Sequence, residues 1–247
     1  LLKEIQKRAS VITAVNPSVA AYVRNNAIMY NCYDSDLAKL WRTPIRSDCF
    51  VIGLLGTLNE ICPIEPLLKV LSVVRKSAPG LFSKIRLCQV GRVNMAWLQP
   101  QLERYGFTDR IDIHRFRGRE DTISIMSQAS LFYLGLPSPL HMGVTPGRIA
   151  TLLASGRPIL AAVPEGSEVE RIIRGTGNGF CFSNSGLPDA ADYLCGQIRL
   201  FEAGKLDINI LPEYARQYSS EKMVQQFSRI VDSFSRSATG HLTPRED

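Results

Sequence analysis

Apolar residues cluster in short blocks along most of the chain, and polar stretches with helical spacing separate them. The blocks CFVIGLLG (49–56), KIRLCQV (84–90), RIDIHRF (110–116), SLFYLGL (130–136), RPILAAV (157–163) and GFCF (179–182) read as strands. Their near-continuous Val, Ile, Leu and Phe content predicts burial on both faces. Between them, PIEPLLKVLSVVRKS (63–77), MAWLQPQLERYG (95–106), REDTISIMSQA (119–129), GSEVERIIRG (166–175) and LPDAADYLCGQIRLFEAG (187–204) read as amphipathic helices. SAPG (77–80) reads as a helix stop, and GTGNG (175–179) as a helix stop and turn. This alternation predicts an α/β chain, a Rossmann-like parallel sheet with helices on both faces.

The first part of the chain is patterned differently. SVITAV (10–15) and AIMYN (27–31) read as short strands, with NPSVAAYVRNN (16–26) as an Asn-Pro-capped helix between them. NCYDSDLAKLWRTPIRSD (31–48) is polar with few periodic apolar positions and reads as a connector, with a boundary near residues 43–48. PEYARQYSSEKMVQQFSRIVDSF (212–234) predicts one long amphipathic helix or two joined ones, and SRSATGHLTPRED (235–247) a frayed tail.

The segment from Ser138 to Gly179 is the most informative for chemistry. Thr145 is placed to N-cap a helix beginning at Pro146, with Gly147 and Arg148 in its first turn and Gly156 ending it. Exposed amides at such a start attract an anion, and Arg148 adds a full charge. Glu168 and Glu170 favour the start of the next helix electrostatically. His114, inside a strand, reads as structural, whereas His141 lies in a loop that can reach a ligand.

Composition narrows the classes. The 247 residues are 45% hydrophobic and 21% charged, as in ordinary globular proteins, and no apolar run approaches the ~20 residues of a bilayer span. A net charge of +6 favours anionic partners, from small molecules to a membrane surface. RIDIHRFRGRE (110–120) is the densest basic patch. Without a nucleic-acid signature, that class is not expected. The six cysteines form no CxxC pair or ligand-like cluster, so neither a metal nor a disulfide framework is expected, and the compartment reads as reducing and cytoplasmic. LLKEIQKRAS lacks an initiating Met and a signal pattern, which leads us to expect an upstream portion.

Several motifs together resemble the C-terminal half of GT-B-fold retaining glycosyltransferases of the "group 1" type. PGRIATLLASGRPILAAV resembles that group's PSKLYEYLASGRPVLA-like segment, and EGSEVERIIRGTGNGFCF its following loop, helix and glycine turn. VIGLLGTLNE and IRLCQVGRV resemble its first two donor-domain strands, and YARQYSSEKMVQQF its closing helix. The resemblance implies residues 1–47 as the remnant of an acceptor domain and linker. It implies 48–211 as a nucleotide-sugar domain, 212–236 as a crossing helix and 237–247 as a tail.

Further implications concern the site and the reaction. A nucleoside-diphosphate sugar would meet Gly56, Thr57, Gly91 and Arg92, with Phe116 and Arg117 near the base and His141 near the sugar. Val144, Thr145 and Pro146 would face the phosphates, with Arg148 in place of the family's Lys. The family's paired glutamates fall on Gly143 and Thr151, and its Arg and Lys after the first glycine turn fall near Thr57 and Cys62. The reaction implied is sugar transfer to a glycan or lipid-linked saccharide in surface polysaccharide synthesis, with no metal or other cofactor and with possible peripheral membrane contact. This segment alone is expected to be inactive. A sugar-nucleotide epimerase of the same fold and a non-catalytic module of that fold stay open as alternatives.

Overall fold

The computed structural model describes residues 2–43, 48–115 and 117–239. A small N-terminal unit comprises α1 (Leu2–Arg8), β1 (Ile12–Ala14), a single turn α2 (Pro17–Ala20) and β2 (Asn26–Ile28). β1 and β2 form a two-stranded parallel sheet. Asn16 caps α2 by accepting from the Val19 amide. This helix is shorter than its pattern predicts. Asn25 takes φ +47°, and the Asn26 side chain donates to the carbonyls of Ala20 and Val23.

The predicted connector holds another turn, α3 (Ser35–Ala38), and it is more than a linker. Tyr33, Ala38 and Trp41 are buried in the core. Tyr33 also exchanges main-chain hydrogen bonds with Tyr218 and Ser220 near the C-terminus.

The main body alternates strand and helix: β3 (Phe50–Leu55), α4 (Glu65–Ser77), α5 (Pro79–Phe82), β4 (Ile85–Val90), α6 (Met95–Tyr105) and β5 (Ile111–His114). It continues through α7 (Arg119–Met126), β6 (Leu131–Gly135), α8 (Arg148–Ala154), β7 (Ile159–Ala162), α9 (Glu168–Thr176), β8 (Gly179–Phe182) and α10 (Leu187–Glu202). A 3-10 segment at Glu213–Tyr218 leads into α11 (Ser220–Thr239). Two expectations change here. After SAPG begins, the chain forms a further turn that buries Phe82, and α11 runs into the stretch expected to fray.

The six strands β3 to β8 form one parallel sheet in the order β5-β4-β3-β6-β7-β8. Side chains alternate between its faces. Val51, Cys88, Phe132 and Ile159 share one core with α7, α8 and α9. Phe50, Ile52, Leu87, Leu131 and Leu160 share the other with α4, α6 and α10. Strand order reverses between β3 and β6, and a crevice opens beyond the carboxyl ends of strands at such a switch point. The turn after β3 and the segment after β6 flank it.

Candidate functional site

The turn after β3 is built from two glycines that no other residue replaces without strain. Gly56 sits at φ +100° and Gly91, which ends β4, at φ +142°. A Cβ on Gly91 would lie 2.2 Å from the Gly56 carbonyl oxygen. The Gly56 amide donates to Val90 O and the Gly91 amide to His114 O, so three strand ends are tied together. The fully buried Gln89 adds its side-chain amide, donating to Gly56 O at 2.6 Å.

Arg148 crosses from α8 to this turn. Its Nη1 lies 3.3 Å from where a Cβ on Gly56 would stand. The side chain is half-buried, and among the described residues it has no carboxylate partner. A half-buried cation without a counter-ion favours an anion at that spot. The sequence reading names both residues as donor-binding, and the structure sets the Arg148 side chain beside Gly56.

Beside them lies a cleft of about 320 Å³ lined by Leu55, Thr151, Arg117, Arg119, Asp34 and Trp41, among others. Arg119 pairs with Asp34 at 3.8 Å, whereas Arg117 has no carboxylate partner among the described residues. Thr151 thus faces the same space as Arg117. Phe116 lies outside the described residues.

The start of α8 differs from its prediction. The helix begins at Arg148, after an uncapped Gly147, not at Pro146. Thr145 Oγ1 is taken as an acceptor by Asn16 Nδ2 at 2.7 Å, which also reaches Gly143 O at 2.9 Å. Asn31 Nδ2 donates to Thr145 O at 2.9 Å. The N-terminal unit therefore holds Gly143 and Thr145, and it removes the hydroxyl that would have capped the helix. Val144 and Pro146 lie in the same held segment, with Val144 partly exposed. His141 closes a 3-10 turn at Pro139–His141, and its buried Nδ1 has no partner among the described residues. Arg92 joins the β3 turn through its carbonyl, which accepts from Leu58 N.

Two buried charged residues matter beyond the sequence reading. Glu168 is 2% exposed and accepts from the amide and hydroxyl of Ser18 while pairing with Arg171. Burial works to raise its carboxyl pKa, but the bonds from Ser18 and Arg171 prevail and hold it below the ordinary carboxylate range. It thus fastens α2 to α9, a role that a helix-start preference does not capture. Arg157, fully buried, gives its guanidinium to main-chain carbonyls, and burial lowers its pKa to about 10. Only the contact partner across the chain, invisible in sequence, reveals either role. Among the described residues no group of His, Cys, Asp and Glu is arranged to hold a metal ion, and no helix is long and apolar enough to cross a membrane.

This fold is shared with solved GT-B glycosyltransferases, over part of their length. Sucrose-phosphate synthase from Thermosynechococcus elongatus superposes with a TM-score of 0.68 at 16% identity, over 95% of this chain and 61% of that one. HepE of Anabaena, solved with UDP-glucose, gives 0.65 at 15% identity, over 94% and 66%. The lipopolysaccharide outer core galactosyltransferase WaaB gives 0.63 at 14% identity, over 91% and 62%. The chain therefore spans less than two thirds of each of these proteins. No family model matches the sequence, and no curated protein does.

Proposed function

We propose that the chain is the donor-binding part of a retaining glycosyltransferase that uses a nucleoside-diphosphate sugar. The observation that carries this reading is the Arg148 guanidinium against the Gly56 turn, with no carboxylate partner among the described residues, beside a cleft that also presents Arg117 and Thr151. Arg148 holds the diphosphate, Arg117 lies toward the base, and Thr151 faces the ribose. When the sugar departs, negative charge grows on the β-phosphate, and Arg148 stabilises it there without a metal. Removing one such preorganised contact costs about 2.7–4 kcal/mol of transition-state stabilisation.

The acceptor is a hydroxyl on a glycan or lipid-linked saccharide, in keeping with the galactosyltransferase among the similar structures. Surface polysaccharide synthesis at the cytoplasmic membrane face fits that acceptor and the positive charge. Residues 1–47 act as the acceptor-domain remnant and linker, 48–211 as the donor domain and 212–236 as the crossing helix. Since both catalytic partners must meet, this segment by itself transfers no sugar.

A second reading, a non-catalytic nucleotide-sugar module, is favoured by one observation. Gly143 and Thr151 stand where the resembling enzymes carry glutamates, and Gly143 is held by Asn16. Calorimetric titration of the folded chain with UDP, GDP and ADP tests the proposal. Binding to one of them, weakened about tenfold or more in Arg148→Ala, is the expected result. A folded chain that binds none of the three refutes the donor site.

A further inference from the structure

Gln89 is an anomaly in its strand. It occupies a fully buried position in β4, between Cys88 and Val90, where an apolar residue would satisfy the core. Among the described residues its Oε1 has no hydrogen-bond partner, a cost that a Leu or Met would avoid. What it gains is a single contact, from Nε2 to the Gly56 carbonyl at 2.6 Å. That carbonyl is also pressed by Gly91, whose hydrogen-only side chain leaves just enough room.

The consequence follows from the peptide plane. The described chain contains no cis bonds, and in a trans peptide the C=O and the next N–H point in opposite directions. With the Gly56 carbonyl turned toward Gln89 on β4, the Thr57 N–H points away from both. Arg148 reaches Gly56 from α8. Thr57 is exposed, and its amide has no partner among the described residues.

We infer that Gln89 is a positioning residue that locks the Gly56–Thr57 peptide so that the Thr57 amide and Arg148 converge on one phosphate group of the ligand. This rests on the donor-site reading and assigns the backbone donor that completes it. Gln89 does not touch the ligand. Without its amide, the peptide is free to rotate, and the Thr57 N–H is no longer preorganised for an oxyanion.

The test compares UDP binding by the wild-type chain, Gln89→Leu and Gln89→Glu, with thermal unfolding followed alongside. Gln89→Leu keeps the core apolar and is expected to bind UDP about tenfold more weakly. Gln89→Glu supplies a readout that simple loss of packing would not move. Its carboxyl, raised by burial, donates to Gly56 O only while protonated. Relative to wild type at each pH, it should bind well near about pH 5 and lose affinity toward about pH 8. In an amide NMR spectrum, the Thr57 signal should shift with UDP in the wild type and much less in Gln89→Leu. Undiminished binding by a folded Gln89→Leu, or a flat relative pH profile for a folded Gln89→Glu, overturns the role of Gln89 alone. Should the folded wild type bind none of UDP, GDP and ADP, the donor-site reading falls and this inference with it; should it bind GDP or ADP in place of UDP, that nucleotide is the probe for the variants.

Discussion

The Arg157 guanidinium lies 5.0 Å above the ring of Trp41 and donates to the carbonyls of Ala129, Ser127, Ser155 and Arg42. No carboxylate shares its burial among these partners. Ser127 and Ser155 are the C-cap residues of α7 and α8, where the helix dipoles gather partial negative charge. Two helix ends and an aromatic face therefore take the place of a counter-ion. Through Arg42 and Trp41, the same side chain ties the connector to the sheet body.

This arrangement makes Arg157 a stability residue. Arg157→Leu leaves buried carbonyls without their charged donor and is expected to cost about 3 kcal/mol or more. Lys in its place keeps the charge but cannot spread donors across the planar fork, so it should recover only part of the loss. Urea unfolding of both variants measures the difference. A loss under about 0.5 kcal/mol in Arg157→Leu would contradict the account.

A second prediction concerns acid. In the folded chain, Glu168 is a stronger acid than at its ordinary value of 4.5, owing to its bonds with Ser18 and Arg171. As pH falls, the unfolded chain takes up this proton first. The stabilisation is therefore complete above pH 4.5 and is lost as pH drops through the lower folded value. Measured against its intrinsic rate at each pH, hydrogen exchange at the Ser18 amide should lose protection in that acid window. Glu168→Gln should be less stable than wild type at neutral pH, and the gap should close as the solution is acidified. An equal gap at neutral and acid pH would refute the coupling.

The strands are legible in the sequence because parallel strands buried on both faces carry unbroken apolar runs, as SLFYLGL and RPILAAV do. Their chain order also announces the alternation of helix and sheet. Trp41 is not legible, since a lone aromatic in a polar stretch shows no period. Its burial depends on Arg157, far along the chain. The start of α8 misleads for a related reason. Thr145 and Pro146 obey the local rules for a helix start, but Asn16 competes for the Thr145 hydroxyl and wins. At the site, the residue types at Gly56 and Arg148 can be read directly. That the long side chain folds over the glycine turn is a tertiary fact.

Thr151 offers a test of whether this cleft takes a ribose. It sits in α8 and faces the cleft, at a position where the sequence resemblance implies a carboxylate. A hydroxyl can exchange one weak hydrogen bond with a ribose, whereas a carboxylate accepts from both ribose hydroxyls with charge-assisted strength. Wild type is therefore expected to bind UDP and 2′-deoxy-UDP with nearly equal affinity. Thr151→Glu should favour UDP over the deoxy compound by about tenfold, through the added charge-assisted bond. Arg117, without a carboxylate partner on the cleft wall, offsets part of the introduced negative charge. Calorimetric titrations of both proteins with both nucleotides give the ratio directly. Equal discrimination before and after the substitution would place the ribose elsewhere and move the nucleotide out of this cleft.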